Sequence, residues 1–280
     1  MKLCRFDHDR LGVIVGCEIA DVSAVLDALP ALRWAPPRGD PLLAHLDTLR
    51  PRIEQLMPRA PRRSLEDVRL EAPVASPPRV LGVRVNYAQR LEAAGDLAEA
   101  TQDLAAAPEF FVKSSASLAG AADGIELRFP QRRCDHEVEL VVVIGRQADR
   151  VSPAEALACV AGYCIGVDVT MRGDEERGLR KSLDSFTVIG PWLVTADEVP
   201  EPGTLAIELA VDGEVRQRGN TREMRHGVTQ LVAHASRYFP LLPGDLILTG
   251  TPAGVGPLAP RDELRCTIER IGTLHTRVRG

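Results

Sequence analysis

The longest uninterrupted apolar runs of this chain are strand-sized. Leu140 to Gly145 and Leu246 to Leu248 fall far short of the roughly 20 residues that cross a bilayer as a helix. The sequence therefore predicts a fold that buries short strands on both faces and has no membrane segment. Val80 to Val85 has the same character. The opening Met1-Lys2-Leu3 runs into Arg5, Asp7 and Asp9, so no secretory signal is read there.

Between these strands the punctuation is dense. Two short apolar runs flank a polar turn at Asp7 to Arg10 and predict a hairpin. Val22 to Leu29 and Leu42 to Leu56 carry helical spacing. A Pro- and Arg-rich stretch, followed by Pro73, Pro77 and Pro78, then predicts a linker that separates a small N-terminal domain, residues 1–75, from a larger one, residues 77–280. Within the latter, Arg90 to Ala107 reads as a helix or lid, Glu137 to Ile144 and Cys164 to Val169 as strands. Asp212-Gly213 sits between two such segments and predicts a tight hairpin, and Met224 to Phe239 has the spacing of an amphipathic helix.

Composition narrows the function. At 280 residues the chain can bury a large core, and a net charge of −5 leaves no basic surplus for neutralising phosphates, which argues against nucleic acid. Six cysteines lie mostly in strand-like apolar text without a Cys-x-x-Cys pair. They predict reduced core residues in a cytoplasmic protein. The only lysines are Lys2, Lys113 and Lys181. In a chain that otherwise uses arginine, a lysine is notable where a compact ammonium or a removable proton is needed.

Two glutamates, Glu137 and Glu139, precede the apolar run at strand spacing, which places both carboxylates on one face with backbones roughly 7 Å apart. A solvated strand face would use the same pattern, but here the strand runs directly into a core. Asp168 ends a second apolar strand, where a carboxylate is costly unless paired or bound to a cation. Arg172 is one candidate partner. Three carboxylates without histidine or cysteine would make a hard-oxygen site, suited to Mg²⁺ or Mn²⁺.

Several blocks then carry a family resemblance over roughly residues 77 to 280. They are Glu137-Val138-Glu139 through Gly145, Gly162-Tyr163 through Thr170, Lys181-Ser182-Leu183-Asp184-Ser185-Phe186 with Gly190-Pro191-Trp192, Asn220-Thr221, and Pro243-Gly244-Asp245 through Gly256. In order and content the chain resembles the fumarylacetoacetate hydrolase family. The resemblance implies a mixed α/β, mainly β fold, with a β-roll catalytic domain after a small N-terminal α+β domain, and commonly a homodimer. It also implies metal ligation by Glu137, Glu139 and Asp168, a catalytic Lys181 beside the substrate, and substrate contacts from Thr251, Lys113 and Tyr87. The substrate class is 2-oxo acids, whose metal-chelated form yields a stabilised enolate.

The sequence also departs from that pattern. The hydrolytic members usually carry Gly-x-Asn-Tyr-x-x-His-x-x-Glu, where a lid histidine and glutamate activate water. Here Asn86 and Tyr87 are kept, but Arg84, Arg90 and Ala93 replace the glycine, histidine and glutamate, and Glu92 is one position out. Gly173-Asp174-Glu175 stands where Arg-Asp-x-Gln is common. Because arginine stays protonated near neutral pH, Arg90 is predicted to contact a second substrate carboxylate. The expected reaction is isomerisation or decarboxylation of an unsaturated 2-oxo diacid. C–C hydrolysis of an acylpyruvate or fumarylpyruvate is the alternative, and a non-catalytic binding subunit the third reading. The histidines, His136 among them, are read as structural.

Overall fold

The computed structural model describes residues 1–31, 34–35, 38–87 and 107–279. The predicted lid and its Arg90, Glu92 and Ala93 lie outside the described residues.

The apolar runs build the centre of a large mixed sheet. Its path begins with Arg62–Ser64, Glu18–Asp21, Arg10–Val15 and Lys2–Phe6, and crosses to Thr187–Thr195. It continues through Val160–Asp168, Val138–Ile144, Leu246–Leu248, Val80–Val83 and Phe110–Lys113. Strands this apolar are stable only with both faces covered, and both are. On one face Leu140, Val142 and Ile165 pack with Leu209, Leu264, Cys266 and Leu274 of a five-stranded sheet, and with Leu231 and Val232 of the helix Val228–Tyr238. On the other, Val141, Val143 and Cys164 pack with Leu43, Leu46, Leu49 and Ile53 from the N-terminal segment.

The segment 1–75 thus reaches into the main sheet. Lys2–Phe6 pairs antiparallel with Thr187–Thr195, with Lys2 opposite Val194 and Leu3 opposite Leu193. The predicted turns hold where sequence spacing was local. Lys2–Phe6 and Arg10–Val15 form a hairpin, and Asp212 (φ 50°) with Gly213 (φ 81°) turns Ala206–Val211 into Glu214–Asn220, as a type I′ turn requires. Five of the six cysteines are buried and all six are free. Among the described residues no helix is long and apolar enough to cross a membrane.

The strand predicted from Glu137 to Ile144 forms over Val138–Ile144. A short strand that was not expected, Cys134–His136, precedes it and matters for the site. Cys134–His136 belongs to a separate three-stranded sheet, between Thr170–Met171 and Gly256–Pro257, whereas Val138–Ile144 joins the main sheet. The chain changes sheets at Glu137, because Asp135 and His136 find backbone partners in Thr170, Pro257 and Gly256 that the main sheet does not offer.

Candidate metal centre

Alternation along the central strands decides which side chains meet. Glu139 shares a face with Val141, and Asp168 shares one with Cys164, the residue paired with Val141. Lys113 lies opposite Val80 on the neighbouring edge. These residues converge where the sheet change brings Glu137 alongside. One oxygen from each of Glu137, Glu139 and Asp168 lies within 4.8 Å of the others, and all three residues are buried.

Two ammonium groups lie among these carboxylates. Lys181 Nζ donates to Asp168 Oδ2 (2.6 Å), Glu137 Oε2 (3.2 Å) and Thr170 Oγ1 (2.5 Å). Thr170 Oγ1 in turn donates to Glu137 Oε1 at 3.2 Å. The Lys181 ammonium also sits 5.1 Å from the centre of the Phe111 ring, within reach of a cation–π contact. Lys113 Nζ donates to Asp168 Oδ1 and, at 2.8 Å, to the Phe186 carbonyl. Both lysines are buried. Lys113, expected at the substrate, thus bonds one of the three carboxylates, Asp168, while Lys181 joins two of them. The Arg172 partnership considered for Asp168 goes instead to Asp135, at 2.7 Å.

Burial and like charge act together on Glu139. Loss of solvent, then the charges of Asp168 and Glu137, push its pKa up to about 8. The Gly250 N–H, 2.5 Å from Glu139 Oε2, opposes that rise. For Lys113 burial lowers the pKa and Asp168 works against it. Burying three carboxylates this close is unfavourable without compensating positive charge. The all-oxygen donor set suits a hard divalent cation.

Tyr87 is held in place by its neighbour. Asn86 donates to the carbonyls of His226 (3.0 Å) and Thr249 (2.8 Å) and accepts from the His226 N–H (2.9 Å). The Tyr87 hydroxyl is buried and has no hydrogen-bond partner among the described residues. Its pKa is raised by burial, then by the charges of Glu139 and Glu223, so it remains a donor. Arg84 bonds Glu109, both Nη1–carboxylate distances being 3.1 Å, and Glu175 bonds Arg132 at 2.5 and 2.8 Å.

Thr251 is fully buried and sits in the glycine-rich turn as expected. Its Oγ1 accepts from Gln217 Nε2 at 2.8 Å. The turn depends on glycine at two places. Gly250 has φ +95°, and a Cβ there would lie 2.8 Å from Asn86 Cβ. At Gly254, also +95°, a Cβ would lie 1.9 Å from the Arg216 carbonyl oxygen.

Sequence reading missed Thr170, Gln217, Gly250 and the Phe186 carbonyl. Thr170 stands two residues beyond Asp168, a spacing that could have flagged it. Gln217 had no such signal, because Arg216 and Arg218 around it read as a solvated strand.

Comparison with known proteins adds four findings. A family model described as the C-terminal part of fumarylacetoacetate hydrolase matches residues 79–279. The chain is 48% identical over 287 aligned residues to a maleylpyruvate hydrolase from Aquipseudomonas alcaligenes, with all of both chains covered. Among solved structures, it resembles maleylpyruvate hydrolase from Sphingobium sp. SYK-6 in complex with manganese(II) and pyruvate (TM-score 0.86, 36% identity, 100% of this chain and 99% of that one). It also resembles a 5-carboxymethyl-2-hydroxymuconate delta-isomerase from Mycobacterium smegmatis (TM-score 0.75, 31% identity, 100% and 98%).

Proposed function

This chain belongs to the fumarylacetoacetate hydrolase family, and from that premise we propose that it is a divalent-metal-dependent C–C hydrolase of an acylpyruvate, a diacid of the maleylpyruvate type. The expectation of isomerisation or decarboxylation rested on the missing lid pair at Arg90 and Ala93. What weighs most against it is end-to-end identity of 48% with a maleylpyruvate hydrolase; the convergence of Glu137, Glu139 and Asp168 supports the metal dependence that either reaction needs.

In this reading Glu137, Glu139 and Asp168 hold Mg²⁺ or Mn²⁺. The cation, when bound, supplies Lewis acidity that stabilises negative charge on the 2-oxo oxygen of the substrate. Charge balance favours the anionic substrate: three carboxylates against two ammoniums leave −1, which a divalent ion turns to +1. The overall reaction adds a water oxygen to the acyl carbon and breaks its bond to the methylene carbon. The electron pair of that bond leaves as the enolate of pyruvate, which then takes a proton at carbon. Lys181 holds positive charge and a proton beside the carboxylates where that enolate forms. Thr251 and Tyr87 present hydroxyl donors to the substrate's oxygens. Arg90 is assigned the distal carboxylate of a diacid, because its planar fork of donors matches that group.

The test is to incubate the Mn²⁺-loaded protein with a diacid acylpyruvate, its monoacid counterpart, oxaloacetate and a 2-hydroxy-diene diacid, in ¹⁸O-water, with products read by NMR and mass spectrometry. The expected result is pyruvate plus a carboxylic acid carrying one ¹⁸O, faster for the diacid. Double-bond migration alone, or decarboxylation of oxaloacetate alone, would overturn the reading in favour of the isomerase-type relatives.

A further inference from the structure

Gln217 is a fully buried amide flanked by the exposed Arg216 and Arg218, and all its hydrogen-bonding capacity is directed at the site. Its Oε1 accepts from the Val138 N–H at 3.1 Å and lies 3.1 Å from His136 Nδ1. Its Nε2 donates to Thr251 Oγ1 at 2.8 Å and to the Pro252 carbonyl at 3.0 Å. The direction of the amide is not ambiguous. A backbone N–H at one end must meet the oxygen, and a backbone carbonyl at the other must meet the nitrogen.

Two consequences follow from that direction. Since Gln217 is the donor, the Thr251 oxygen is an acceptor in this bond, and its own proton is left for another acceptor. Among the described residues Thr251 donates to nothing. Secondly, Val138 lies between Glu137 and Glu139, so a single side chain ties the strand carrying two metal carboxylates to the turn carrying Thr251. We propose that Gln217 is a positioning residue: it aims the Thr251 hydroxyl at the carboxylate of a bound 2-oxo acid and sets the distance from that carboxylate to the metal centre. The inference rests on the proposed acylpyruvate reading, in which the pyruvoyl group spans the two.

A merely structural staple would give the same hydrogen bonds, and ligand binding separates the two roles. The probe is pyruvate, titrated by calorimetry into Mn²⁺-loaded wild type, Gln217→Met, Thr251→Val and the double variant, with Mn²⁺ affinity measured on each beforehand. Gln217→Glu is the second variant. It keeps the volume and the acceptor end but presents an oxygen where Thr251 and Pro252 need a donor, so it carries the test if Gln217→Met does not fold. Each single change is expected to weaken pyruvate about tenfold or more, the scale of a hydrogen bond to a charged group. Mn²⁺ affinity should stay within about twofold, and Thr251→Val should cost no more than about twofold further once Gln217 is gone, because the two act as one unit.

Unchanged pyruvate binding in the folded Gln217 variants, or losses that multiply in the double variant, would overturn the proposal. A wild type that binds pyruvate yet cleaves no acylpyruvate, with the Gln217 dependence intact, sinks the hydrolase reading and leaves this one standing. Cleavage with Gln217-independent pyruvate binding does the reverse. A Mn²⁺-loaded wild type that binds no pyruvate overturns both.

Discussion

The Gly250 amide stands 2.5 Å from Glu139 Oε2, so the turn that carries Thr251 also fixes a carboxylate of the candidate metal centre. That N–H is reached only because Gly250 adopts φ +95° and packs against Asn86. Gly250→Ala should therefore cost both strain and geometry. About 1–3 kcal/mol of stability is expected to go, and Mn²⁺ affinity should fall about tenfold or more as Glu139 loses its fixed partner. Gly16 is the control: it too has positive φ (+64°), but nothing lies within 4 Å of its missing Cβ. Gly16→Ala should lower stability by about 1 kcal/mol and leave metal affinity alone. Thermal melts and calorimetry on both variants check this, and equal metal affinity in the two would contradict it.

The raised pKa of Glu139 makes the metal-free protein pH-sensitive with a definite sign. The folded value of about 8 lies above the ordinary 4.5, so folding favours the protonated acid. The associated stability is fully present below about 4.5 and is lost as pH rises through about 8. Metal binding requires the carboxylate, so Mn²⁺ affinity should climb across the same window. In Glu139→Gln both effects vanish. The metal-free melting temperature of the wild type should fall relative to this variant between pH 5 and pH 9, by about 2–4 °C for each kcal/mol in a chain of this size, and Mn²⁺ should no longer raise the variant's. Parallel wild-type and variant curves across that range would rule the assignment out.

Lys181 bonds oxygens that the proposed cation would take, and the proposed chemistry is assigned to it as well. Its Nζ bonds both Asp168 and Glu137, so Lys181→Met removes a buried positive charge from the metal's surroundings. Mn²⁺ affinity is expected to hold or rise, while turnover falls about 100-fold or more, the scale of one charge-stabilising group in an active site. Lys181→Arg should not rescue, because the planar guanidinium cannot occupy the compact position between Thr170, Asp168 and Glu137. Turnover and Mn²⁺ affinity that fall by the same factor would assign Lys181 to building the metal site and not to the reaction.

Local chemistry was the legible part of this sequence. The Asp212-Gly213 hairpin, the Val228–Tyr238 helix and the buried central strands follow from turn residues and periodicity alone, and Asp168 declared itself as a carboxylate ending an apolar strand. What stayed hidden was long-range pairing. The break at Glu137 depends on Thr170 and Gly256 offering backbone partners to Asp135 and His136 from distant parts of the chain. That Lys113 bonds Asp168 was likewise hidden, because nothing local reveals that Val80 lies opposite it and Asp168 beside it. Gln217 was masked by its charged neighbours, although it is the polar residue that knits Val138 to Thr251.

Tyr87 offers a case where activity and stability should move apart. Its hydroxyl is buried without a partner among the described residues, a condition that costs about 1–3 kcal/mol and that the three hydrogen bonds of Asn86 enforce. Removing only the oxygen relieves that cost. Tyr87→Phe is therefore expected to melt at the same temperature as the metal-free wild type or a few degrees above it, while pyruvate binding to the Mn²⁺-loaded form weakens about tenfold, since the hydroxyl would meet its acceptor only in the ligand. Asn86→Ala should do the opposite to stability, stripping three buried partners at once and lowering the melting temperature markedly. A Tyr87→Phe protein that is destabilised and binds pyruvate normally would mean that the hydroxyl is satisfied within the fold, and its role at the substrate would have to be given up.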